Sequence, residues 1–416
     1  MSRRALVVRY EGFPFAIRMS KVLSILLECD FEVDVIVPED RIGNDTYSTQ
    51  DGRTLRDQVN IITFKMREGF CEKIKAKVNP SFVTGDRYFN ACLEKQLRSG
   101  SYDLIILKDT HKLEYLFNII DKRGLSDVRV MCDMYENASE QAYDMYYRYG
   151  RPWRKALTVM QRTIPRIRKI ESRYLPRCDR VFVVVDEAAR YLKSRYNLDM
   201  NRISVVENVE FLKKFDSITV YKGFGEFISP DKRIVSYVGS IGAHRGIDLF
   251  IEAVSRIPKA VRSRAAFVIV GARNKQSEKI RNMAGRYGIE DDIHIAGYLP
   301  HEDAMRWIKK SSIGVIPHND TEFIRTTVPN KLFQYMAASA LIITSNVGPL
   351  SRIVSETDCG LIFRAGSSSD FADRIMEALQ NDKLTDEKGR NGRIAAENKY
   401  CWEKRSEAYQ EYFSTL

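Results

Sequence analysis

The amino-acid sequence predicts an α/β protein with two doubly wound parallel-sheet domains. Short runs of β-branched residues alternate with helical stretches along the whole chain, a pattern typical of parallel strands covered by helices. Two such series follow each other, and 416 residues are enough for two cores of ordinary size. We expect one domain over residues 1–215 and a second over 216–396, followed by a strongly helical ending at 397–416.

Thirteen short apolar runs are predicted as strands. In the first domain they cover residues 5–8, 33–37, 59–63, 104–107, 128–132, 181–185 and 204–206. In the second domain they cover residues 234–238, 266–270, 293–295, 313–316, 341–344 and 361–363. Two polar regions, 41–52 and 71–86, interrupt the first series as excursions, and the sequence assigns them no role.

The composition is that of a globular protein that needs neither disulfides nor metal. Hydrophobic residues make up 44% of the chain and charged residues 29%, and no run of about 18 apolar residues could span a membrane. The first residues lack the apolar core of a signal peptide. The seven cysteines are scattered without a Cys-x-x-Cys motif, and the five histidines show no metal-ligand spacing. These patterns argue against disulfide and zinc sites and indicate a reducing cytoplasm.

The net charge of +11 indicates an anionic partner without identifying it. Residues 148–180 concentrate the excess, with eleven Lys and Arg against two acidic residues. Apolar residues recur there at roughly helical intervals: Trp153, Leu157, Ile164, Ile167, Ile170 and Tyr174. The segment fits either a helix that docks on an anionic membrane or a solvated basic face whose apolar stripe packs on the first domain. The positive net charge is the only feature that supports a nucleic-acid partner, and we expect none.

Residues 316–354 carry the most specific local pattern. A loop leads to a helix starting near Pro329, whose missing N–H costs nothing in a first helical turn, and Thr326 or Thr327 is placed to cap it. Lys331 and Gln334 share one side of this helix, while its other side is apolar. A lysine beside the free N–H groups of a helix start suits a phosphate or diphosphate.

Three further segments accompany this helix in a recognisable order: 237–246 (YVGSIGAHRG), 268–273 (VIVGAR) and the turn 297–300 (GYLP). Together with PNKLF-x-YMA they resemble the C-terminal half of retaining family-4 glycosyltransferases. That resemblance implies the GT-B fold, in which two Rossmann-like domains face each other across a cleft. It also implies that the first domain binds the acceptor, that the second binds the nucleotide sugar, and that the helix at 397–416 crosses back to the first domain.

The resemblance places a donor diphosphate among glycines and cations. Arg245 occupies the family's Lys-Gly position, where a permanent charge stabilises the departing diphosphate. Ser240 stands where the family usually has a second basic residue, and Arg273 could supply the missing charge, although Arg273 also fits an exposed surface residue. Lys331 is a second candidate for stabilising the diphosphate, or it only covers its helix. The full donor-binding set is Gly12, Gly239, Ser240, Arg245, Arg273, Tyr298, Leu299, Glu322, Thr326, Lys331 and Gln334.

The chain departs from the family at a pair of glutamates eight residues apart, the second of which accepts hydrogen bonds from ribose. Thr326 and Gln334 occupy these positions here. Gln334 keeps one carbonyl acceptor without the charge, and Glu322 lies close enough in sequence to supply a sugar contact. Restoring the family residue with Gln334→Glu is therefore expected to tighten donor binding or leave it unchanged.

On the acceptor side, the resemblance points to three residues that follow strands of the first domain: His111, Asp133 and Glu136. His111 lies near the place of a cleft-facing histidine in relatives. Asp133 or Glu136 could orient or deprotonate an acceptor hydroxyl, although Asp133 could equally cap the following helix. Arg18 fits either a phosphate contact or a helix surface.

These observations predict a metal-independent retaining glycosyltransferase that needs no cofactor. It would move a sugar from a UDP- or GDP-linked donor to a glycan or lipid-linked acceptor in surface polysaccharide or glycoconjugate synthesis. We expect a cytoplasmic protein, peripheral at the inner face of the membrane. The alternative is a GT-B protein that does not transfer, either a nucleotide-sugar epimerase or a degenerate sugar-nucleotide-binding protein. A nicotinamide-dependent enzyme is disfavoured because no Gly-x-Gly-x-x-Gly follows a strand.

Overall fold

A computed structural model of the chain describes residues 3–9, 17–42, 54–65, 87–108, 110–153, 155–156 and 163–416. The candidate Gly12, the excursion at 71–86 and most of the excursion at 41–52 lie outside the described residues. By their contacts, the residues divide into two compact units. Unit 1 comprises Met1–Val206 and Ser406–Leu416, and unit 2 comprises Glu207–Arg405. The chain therefore passes from one unit to the other twice.

Unit 1 is built on a seven-stranded sheet with the order β3-β2-β1-β4-β5-β6-β7. Its strands are β1 (Arg3–Val8), β2 (Phe31–Pro38), β3 (Asn60–Phe64), β4 (Leu104–Leu107), β5 (Arg129–Asp133), β6 (Arg180–Val183) and β7 (Ile203–Val205). Every pairing is parallel, and Ala5 of β1 lies opposite both Val33 of β2 and Leu104 of β4. The order reverses between β1 and β4, which makes their carboxyl ends the switch point of the sheet.

Helices connect these parallel strands, as crossover connections require. In unit 1 they are α1 (Ile17–Glu28), α2 (Leu55–Gln58), α3 (Arg87–Ser99), α4 (Leu113–Arg123), α5 (Ala138–Ala142), α6 (Thr163–Tyr174) and α7 (Asp186–Tyr196). A π-helical turn, Tyr143–Arg148, extends α5. The last helix of the chain, Glu407–Ser414, also belongs to unit 1 and buries Tyr409 and Phe413 completely.

An ion pair is buried in the core of unit 1. Arg18 of α1 donates to Oδ1 of Asp133 at 3.0 Å, and both side chains are wholly buried. Arg18 also donates to the hydroxyl of Tyr409 at 2.7 Å, and that hydroxyl donates to Oδ1 of Asp133 at 2.9 Å. A third donation, from Arg18 to the carbonyl of Val206 at 2.6 Å, reaches the last residue before the chain leaves the unit. The network thus joins both ends of the unit's interrupted chain.

Unit 2 repeats the design with a six-stranded parallel sheet in the order β10-β9-β8-β11-β12-β13. Its strands are β8 (Arg233–Val238), β9 (Ala265–Val270), β10 (Ile293–Gly297), β11 (Ile313–Ile316), β12 (Leu341–Ser345) and β13 (Gly360–Phe363). Here the order reverses between β8 and β11. A continuous apolar core includes Val235, Phe250, Phe267 and Ile343, all fully buried.

Eleven helices of unit 2 are described, numbered α8 to α18 in chain order. They are Leu212–Ser217, Ile247–Arg256, Lys259–Arg262, Asn274–Arg286, His301–Lys310, Glu322–Arg325, Asn330–Ala337, Gly348–Thr357, Ser368–Gln380, Asp382–Asn398 and Trp402–Arg405. The helix Asn330–Ala337 is therefore α14, and the terminal helix Glu407–Ser414 is α19. No helix in the described part of the chain is both long and apolar enough to cross a membrane.

The structure confirms the predicted fold class. All thirteen predicted strands are present, and their ends differ from the prediction by at most two residues. The helix expected near Pro329 begins one residue later, with Pro329 as its N-cap and no side-chain cap. The expectation that Thr326 or Thr327 caps it is therefore wrong, because Thr326 ends the preceding helix α13, where its hydroxyl donates to the carbonyl of Phe323 at 3.1 Å.

Candidate functional site

The candidate site lies at the carboxyl ends of β8 and β11, the switch point of the sheet in unit 2. Ligands of open α/β sheets bind at such points because the loops that follow the two strands diverge to opposite faces. The loop after β8 begins at Gly239, and the loop after β11 begins at Pro317. Helix α14 follows the second loop and carries Lys331 in its first turn.

Two glycines allow these segments to approach each other. Gly239 has φ +136°, and a Cβ there would lie 3.0 Å from Nζ of Lys331. Gly246 has φ +69°, and a Cβ there would lie 1.7 Å from the carbonyl oxygen of Pro317. Both positions combine a positive φ with a close approach. A side chain at Gly246 would collide with the backbone of the loop after β11, whereas one at Gly239 would strain the backbone and push against the end of the Lys331 side chain.

Lys331 is buried in this site without a hydrogen-bonding partner. Its side chain is 7% exposed, and Nζ donates to no partner among the described residues. Nζ lies 3.4 Å from the centroid of the Tyr237 ring, whose face is its nearest source of negative potential. Burial, with the charge of Arg245 as a second cause, holds the pKa of Lys331 well below its ordinary value. A buried ammonium is costly unless paired, which indicates a site made for an anion.

Three more basic side chains surround Lys331. Arg245 donates from Nη1 to Nε2 of His318 at 3.2 Å, so this ring nitrogen is the unprotonated one. Burial lowers the pKa of His318 well below its ordinary value, with Arg245 and Lys331 contributing. Burial and Arg245 lower the pKa of His244 to about 4. We call Lys331, Arg245, His244 and His318 the basic cluster.

The two cations of the basic cluster are not balanced by an acid in the described part of the chain. Within the described residues, neither Lys331 nor Arg245 forms an ion pair with a carboxylate. Positive charge on Arg245 and Lys331 disfavours protonation of their neighbours, and this repulsion adds to burial as a cause of the lowered pKa values. An anion bound here would supply negative charge and raise the pKa of Lys331, His244 and His318.

Ser240 and the predicted base-binding turn border this site. The carbonyl of Ser240 accepts the hydroxyl of Tyr237 at 2.7 Å, while its own exposed side chain brings no charge. Arg273 is exposed and lies over the ring of Tyr298, with its guanidinium carbon 4.9 Å from the ring centroid. Tyr298 is 67% exposed, and Leu299 beside it is half-buried. Arg273 thus contacts the turn, and no described contact joins it to the basic cluster.

The remaining donor-side candidates divide between two places. Gln334 is buried on α14, one helical turn after Lys331, and its amide donates to Oε1 of Glu210 at 2.7 Å. Glu322 is exposed at the start of α13, and Thr326 is buried at its end, bonded to backbone carbonyls. No described contact brings Glu322 or Thr326 to Lys331.

The acceptor-side candidates lie in unit 1 in different surroundings. Asp133 neither caps a helix nor faces solvent, because its carboxylate is enclosed by Arg18 and Tyr409. Glu136 is half-buried and accepts a hydrogen bond from Gln141. His111 is half-buried directly after β4, beside the switch point of this sheet. The geometry favours a structural role for Asp133 and leaves His111 and Glu136 as the accessible candidates.

Sequence reasoning missed Glu210, His244 and His318 as members of the site. The histidines were weighed only as metal ligands, although each lies in a loop that follows a strand of the switch point. Glu210 carries no sequence signal of its own, because nothing local marks a partner 124 residues away. The useful signal was topological: residues after β8 and after β11 meet, whatever their separation in sequence.

Comparison with known proteins gives a family match in the segment that contains this site. Residues 224–395 match the family described as glycosyl transferases group 1. An uncharacterized glycosyltransferase of Methanocaldococcus jannaschii is 22% identical over 225 residues, which cover 51% of this chain and 55% of that protein. The chain thus spans about half the length of the curated relatives it matches.

Two solved structures resemble this one closely in fold. Sucrose-phosphate synthase of Thermosynechococcus elongatus aligns with a TM-score of 0.74 at 16% identity, covering 100% of both chains. Anabaena HepE, solved in complex with UDP, aligns with a TM-score of 0.68 at 11% identity, also covering 100% of both chains. At such identities the likeness concerns the fold, which agrees with two Rossmann-like parallel-sheet domains of the GT-B type.

We predict that Asp133→Asn destabilises the protein by about 3–5 kcal/mol, because it leaves the Arg18 charge buried without its partner. Denaturant unfolding measures this loss. Tyr409→Phe, which removes one hydroxyl from the same network, should cost about 1–3 kcal/mol. A variant Asp133→Asn that unfolds like the wild type but loses activity would contradict the structural role and restore Asp133 as a general base.

We predict that Lys331→Met raises the melting temperature and weakens UDP binding at least tenfold, because it removes a costly buried charge that an anion stabilises. The pKa of Lys331 is lower in the folded than in the unfolded protein, where it is about 10.4. Wild-type stability therefore falls as the pH drops below that value, down to the lowered pKa, and Lys331→Met should lack this dependence.

The matched control is Lys309, whose Nζ donates to the carbonyls of Phe215, Asp216 and Ile218. Lys309→Met should lower stability and leave UDP affinity unchanged. Calorimetry at several pH values above 8, where a terminal phosphate with a pKa of about 6 is fully ionised, should detect proton uptake on UDP binding by the wild type in the range between the lowered and the ordinary pKa of Lys331. Equal uptake by Lys331→Met would show that another group takes the proton.

Proposed function

We propose that this protein is a retaining glycosyltransferase that uses a nucleoside-diphosphate sugar without a metal, because residues 224–395 match the family described as glycosyl transferases group 1. The observation that carries the proposal is the basic cluster, in which Lys331 and Arg245 have no carboxylate partner among the residues that the structure describes. A diphosphate provides the negative charge that these groups lack. The UDP in the structure of HepE, a protein of similar fold, supports a nucleoside diphosphate as the ligand class.

The basic cluster would serve the chemical step as well as binding. When the bond between sugar and diphosphate breaks, negative charge develops on the departing oxygen, and preorganised cations stabilise it most. Arg245 offers a fork of donors with a permanent charge, and Lys331 offers a point charge at the start of α14. The N–H groups at this helix start add partial positive charge. These groups would do the work that a divalent metal does in other sugar transferases.

The retaining course would place the reaction on one face of the donor sugar. The leaving phosphate itself would help to take the proton of the acceptor hydroxyl, so that no protein nucleophile is required. Glu136 and His111 are the acceptor-side residues that we propose, since Asp133 is enclosed. We propose a glycan or lipid-linked acceptor, in surface polysaccharide or glycoconjugate synthesis, for a cytoplasmic enzyme that works at the inner face of a membrane.

A second candidate is a protein that binds a sugar nucleotide without transferring the sugar. The observation in its favour is that Ser240 adds no charge to the site and that the amide of Gln334 is already engaged by Glu210. Incubation of labelled UDP- and GDP-sugars with extracted glycolipids separates the two candidates. Labelled glycolipid supports transfer, an epimerised free donor without acceptor supports the epimerase, and binding without either product supports the degenerate protein.

We predict that Arg245→Ala weakens binding of the preferred nucleoside diphosphate by tens-fold, because it removes the permanent charge of the basic cluster. Titration calorimetry with UDP and GDP, with and without EDTA, measures the affinity and its independence of metal. Arg264→Ala, at an exposed position after helix α10, is the charge-matched control and should bind like the wild type. Equal affinities for wild type and Arg245→Ala would remove Arg245 from the site.

We predict that unit 1 binds anionic membranes through the segment 148–180, as proposed for an enzyme with a lipid-linked acceptor. Arg148, Arg151 and Trp153 are exposed, and Trp153 is 45% accessible beside these charges. Each basic residue near an anionic surface contributes about 1 kcal/mol. The protein should sediment with vesicles that contain phosphatidylglycerol at low salt, and Trp153→Ala should reduce the bound fraction several-fold.

Phe227→Ala, at an exposed aromatic residue of unit 2, is the control for the loss of a hydrophobic side chain and should sediment like the wild type. Sedimentation with neutral phosphatidylcholine vesicles should be absent. A wild-type protein that stays in the supernatant with both vesicle types contradicts membrane binding, and the basic segment is then a solvated face.

A further inference from the structure

Helix α6 carries a carboxylate that is wholly buried in unit 1. The side chain of Glu171 is 0% exposed, and its hydrogen bonds come from hydroxyl groups. Thr110 donates to Oε1 at 3.0 Å, and Tyr196 donates to Oε2 at 2.6 Å. The hydroxyl of Ser139 lies 3.3 Å from that of Tyr196. We call Glu171 and these three hydroxyl residues the hydroxyl network.

A second buried carboxylate, Glu140 of α5, lies near this network but has a cationic partner. Arg168 donates to Oε1 of Glu140 at 2.8 Å, and Tyr191 donates to the same oxygen at 2.6 Å. Arg168 stands three residues before Glu171 on α6, yet no cation in the described part of the chain forms an ion pair with Glu171. One carboxylate is therefore balanced by a positive charge, whereas its neighbour is held by hydroxyl groups.

Holding Glu171 in its charged form costs the protein free energy of folding. Burial is the main cause that raises the pKa of Glu171, and the charge of Glu140 raises this pKa further. The hydroxyl donors lower the pKa and so offset part of the lost hydration. Buried titratable groups with strongly shifted pKa values occur preferentially at functional sites. The cost of Glu171 therefore indicates a function in the segment that its carboxylate holds.

Thr110 connects Glu171 to the carboxyl edge of the sheet in unit 1. A 3₁₀ turn, Thr110–Lys112, follows β4 and leads into α4, and no described side chain caps the start of that helix. Thr110 is 2% exposed with its hydroxyl on Glu171, whereas the next residue, His111, is half-buried. The turn beside the switch point is thus attached to α6 through the side chain of Thr110.

A carboxylate suits this place because it can accept hydrogen bonds at both of its oxygens. Thr110 uses one oxygen, and Tyr196, the last residue of α7, uses the other. A glutamine has one accepting oxygen and could serve only one of the two hydroxyls in this way. Hydrogen bonds to a charged acceptor are also stronger than those between neutral groups. Glu171 therefore joins the turn after β4 to α6 and α7 at the same time.

We infer that Glu171 is a positioning residue of the acceptor-side site, which acts through Thr110 to hold the turn that carries His111. The inference rests on the proposed function, because it takes His111 as a residue that meets the acceptor. A turn that is already ordered holds the imidazole in place before the acceptor binds, so that less conformational freedom is lost in the reaction. The placement of an acceptor-side residue thus depends on a carboxylate 61 residues after Thr110 in the chain.

Amide hydrogen exchange tests whether the turn depends on Glu171. Thr110→Val keeps the shape of the side chain and removes the donor, while Glu171→Gln keeps the shape and removes one acceptor. In both variants, a peptide that covers residues 110–113 should exchange about fivefold faster than in the wild type. Thr110→Ser retains the hydroxyl and should exchange like the wild type. A peptide from β9 in unit 2 is the control and should exchange at an unchanged rate.

Thermal unfolding at pH 8 shows whether a loss of function follows from a loss of stability. Glu171→Gln removes a buried charge and should melt at or above the wild-type temperature. Glu140→Gln is the matched control, since it leaves Arg168 without its carboxylate, and it should melt at a lower temperature. Slower transfer by a Glu171→Gln variant that is as stable as the wild type is therefore an effect on the site.

Transfer of labelled sugar to extracted glycolipids then tests the link to the reaction. Thr110→Val and Glu171→Gln should each lower kcat at least tenfold, because a misplaced group slows the chemical step. Both variants should keep the wild-type affinity for UDP, since the basic cluster lies in unit 2. The double variant should be no slower than the slower single variant, because both changes remove the same contact.

The outcomes separate this inference from the function on which it rests. A wild type that binds UDP but transfers no sugar overturns the proposed function, while the exchange of residues 110–113 still decides whether Glu171 holds the turn. Unchanged exchange there in both variants, or faster exchange throughout unit 1, overturns the positioning role. A loosened turn with full transfer overturns the link between this turn and the acceptor. A double variant whose loss equals the product of the single losses overturns the action of Glu171 through Thr110.

Discussion

A buried lysine that has no carboxylate partner in the described part of the chain is the constraint on which the architecture of unit 2 depends. Lys331 is held by the face of Tyr237 and fits because Gly239 has no side chain to obstruct it. Gly246 then brings the loop after β8 onto the loop after β11, so that Arg245 and His318 meet. Each contact keeps positive groups together against their mutual repulsion. This repulsion lowers the free energy of unfolding of the unliganded protein, and binding of an anionic ligand would offset the loss.

The two units share a sheet topology but differ in how the charge of their buried basic side chains is balanced. In both sheets the strand order reverses once, and charged side chains collect near the carboxyl ends of the strands. In unit 1, Asp133 neutralises Arg18, and the hydroxyl of Tyr409 completes the network. In unit 2, Lys331 and Arg245 have no carboxylate partner among the described residues. Similar sheets therefore hold a balanced charge pair in one unit and two unbalanced basic side chains in the other.

The sequence predicts well those features that depend on neighbouring residues. It predicts poorly those that depend on contacts between residues far apart in the chain. The strands follow from runs of β-branched residues, so all thirteen were located within two residues. Arg245 and Lys331 could be proposed from the sequence because each lies beside a local signal. Arg245 lies in the glycine-containing turn after a strand, and Lys331 lies at the start of a helix. Asp133 was misread because its partners are 115 and 276 residues away. Glu210 stayed hidden for the same reason, since only the folded chain brings it to Gln334.

The division of the chain between the units also sets the order in which the two units can finish folding during synthesis. Unit 2 is one continuous segment, whereas unit 1 needs Tyr409 and Phe413 from the last residues of the chain to fill its core. Until those residues leave the ribosome, Arg18 and Asp133 lack the hydroxyl that joins them. During synthesis, the unit that emerges first is therefore the last to reach its native state, and unit 2 is finished before it.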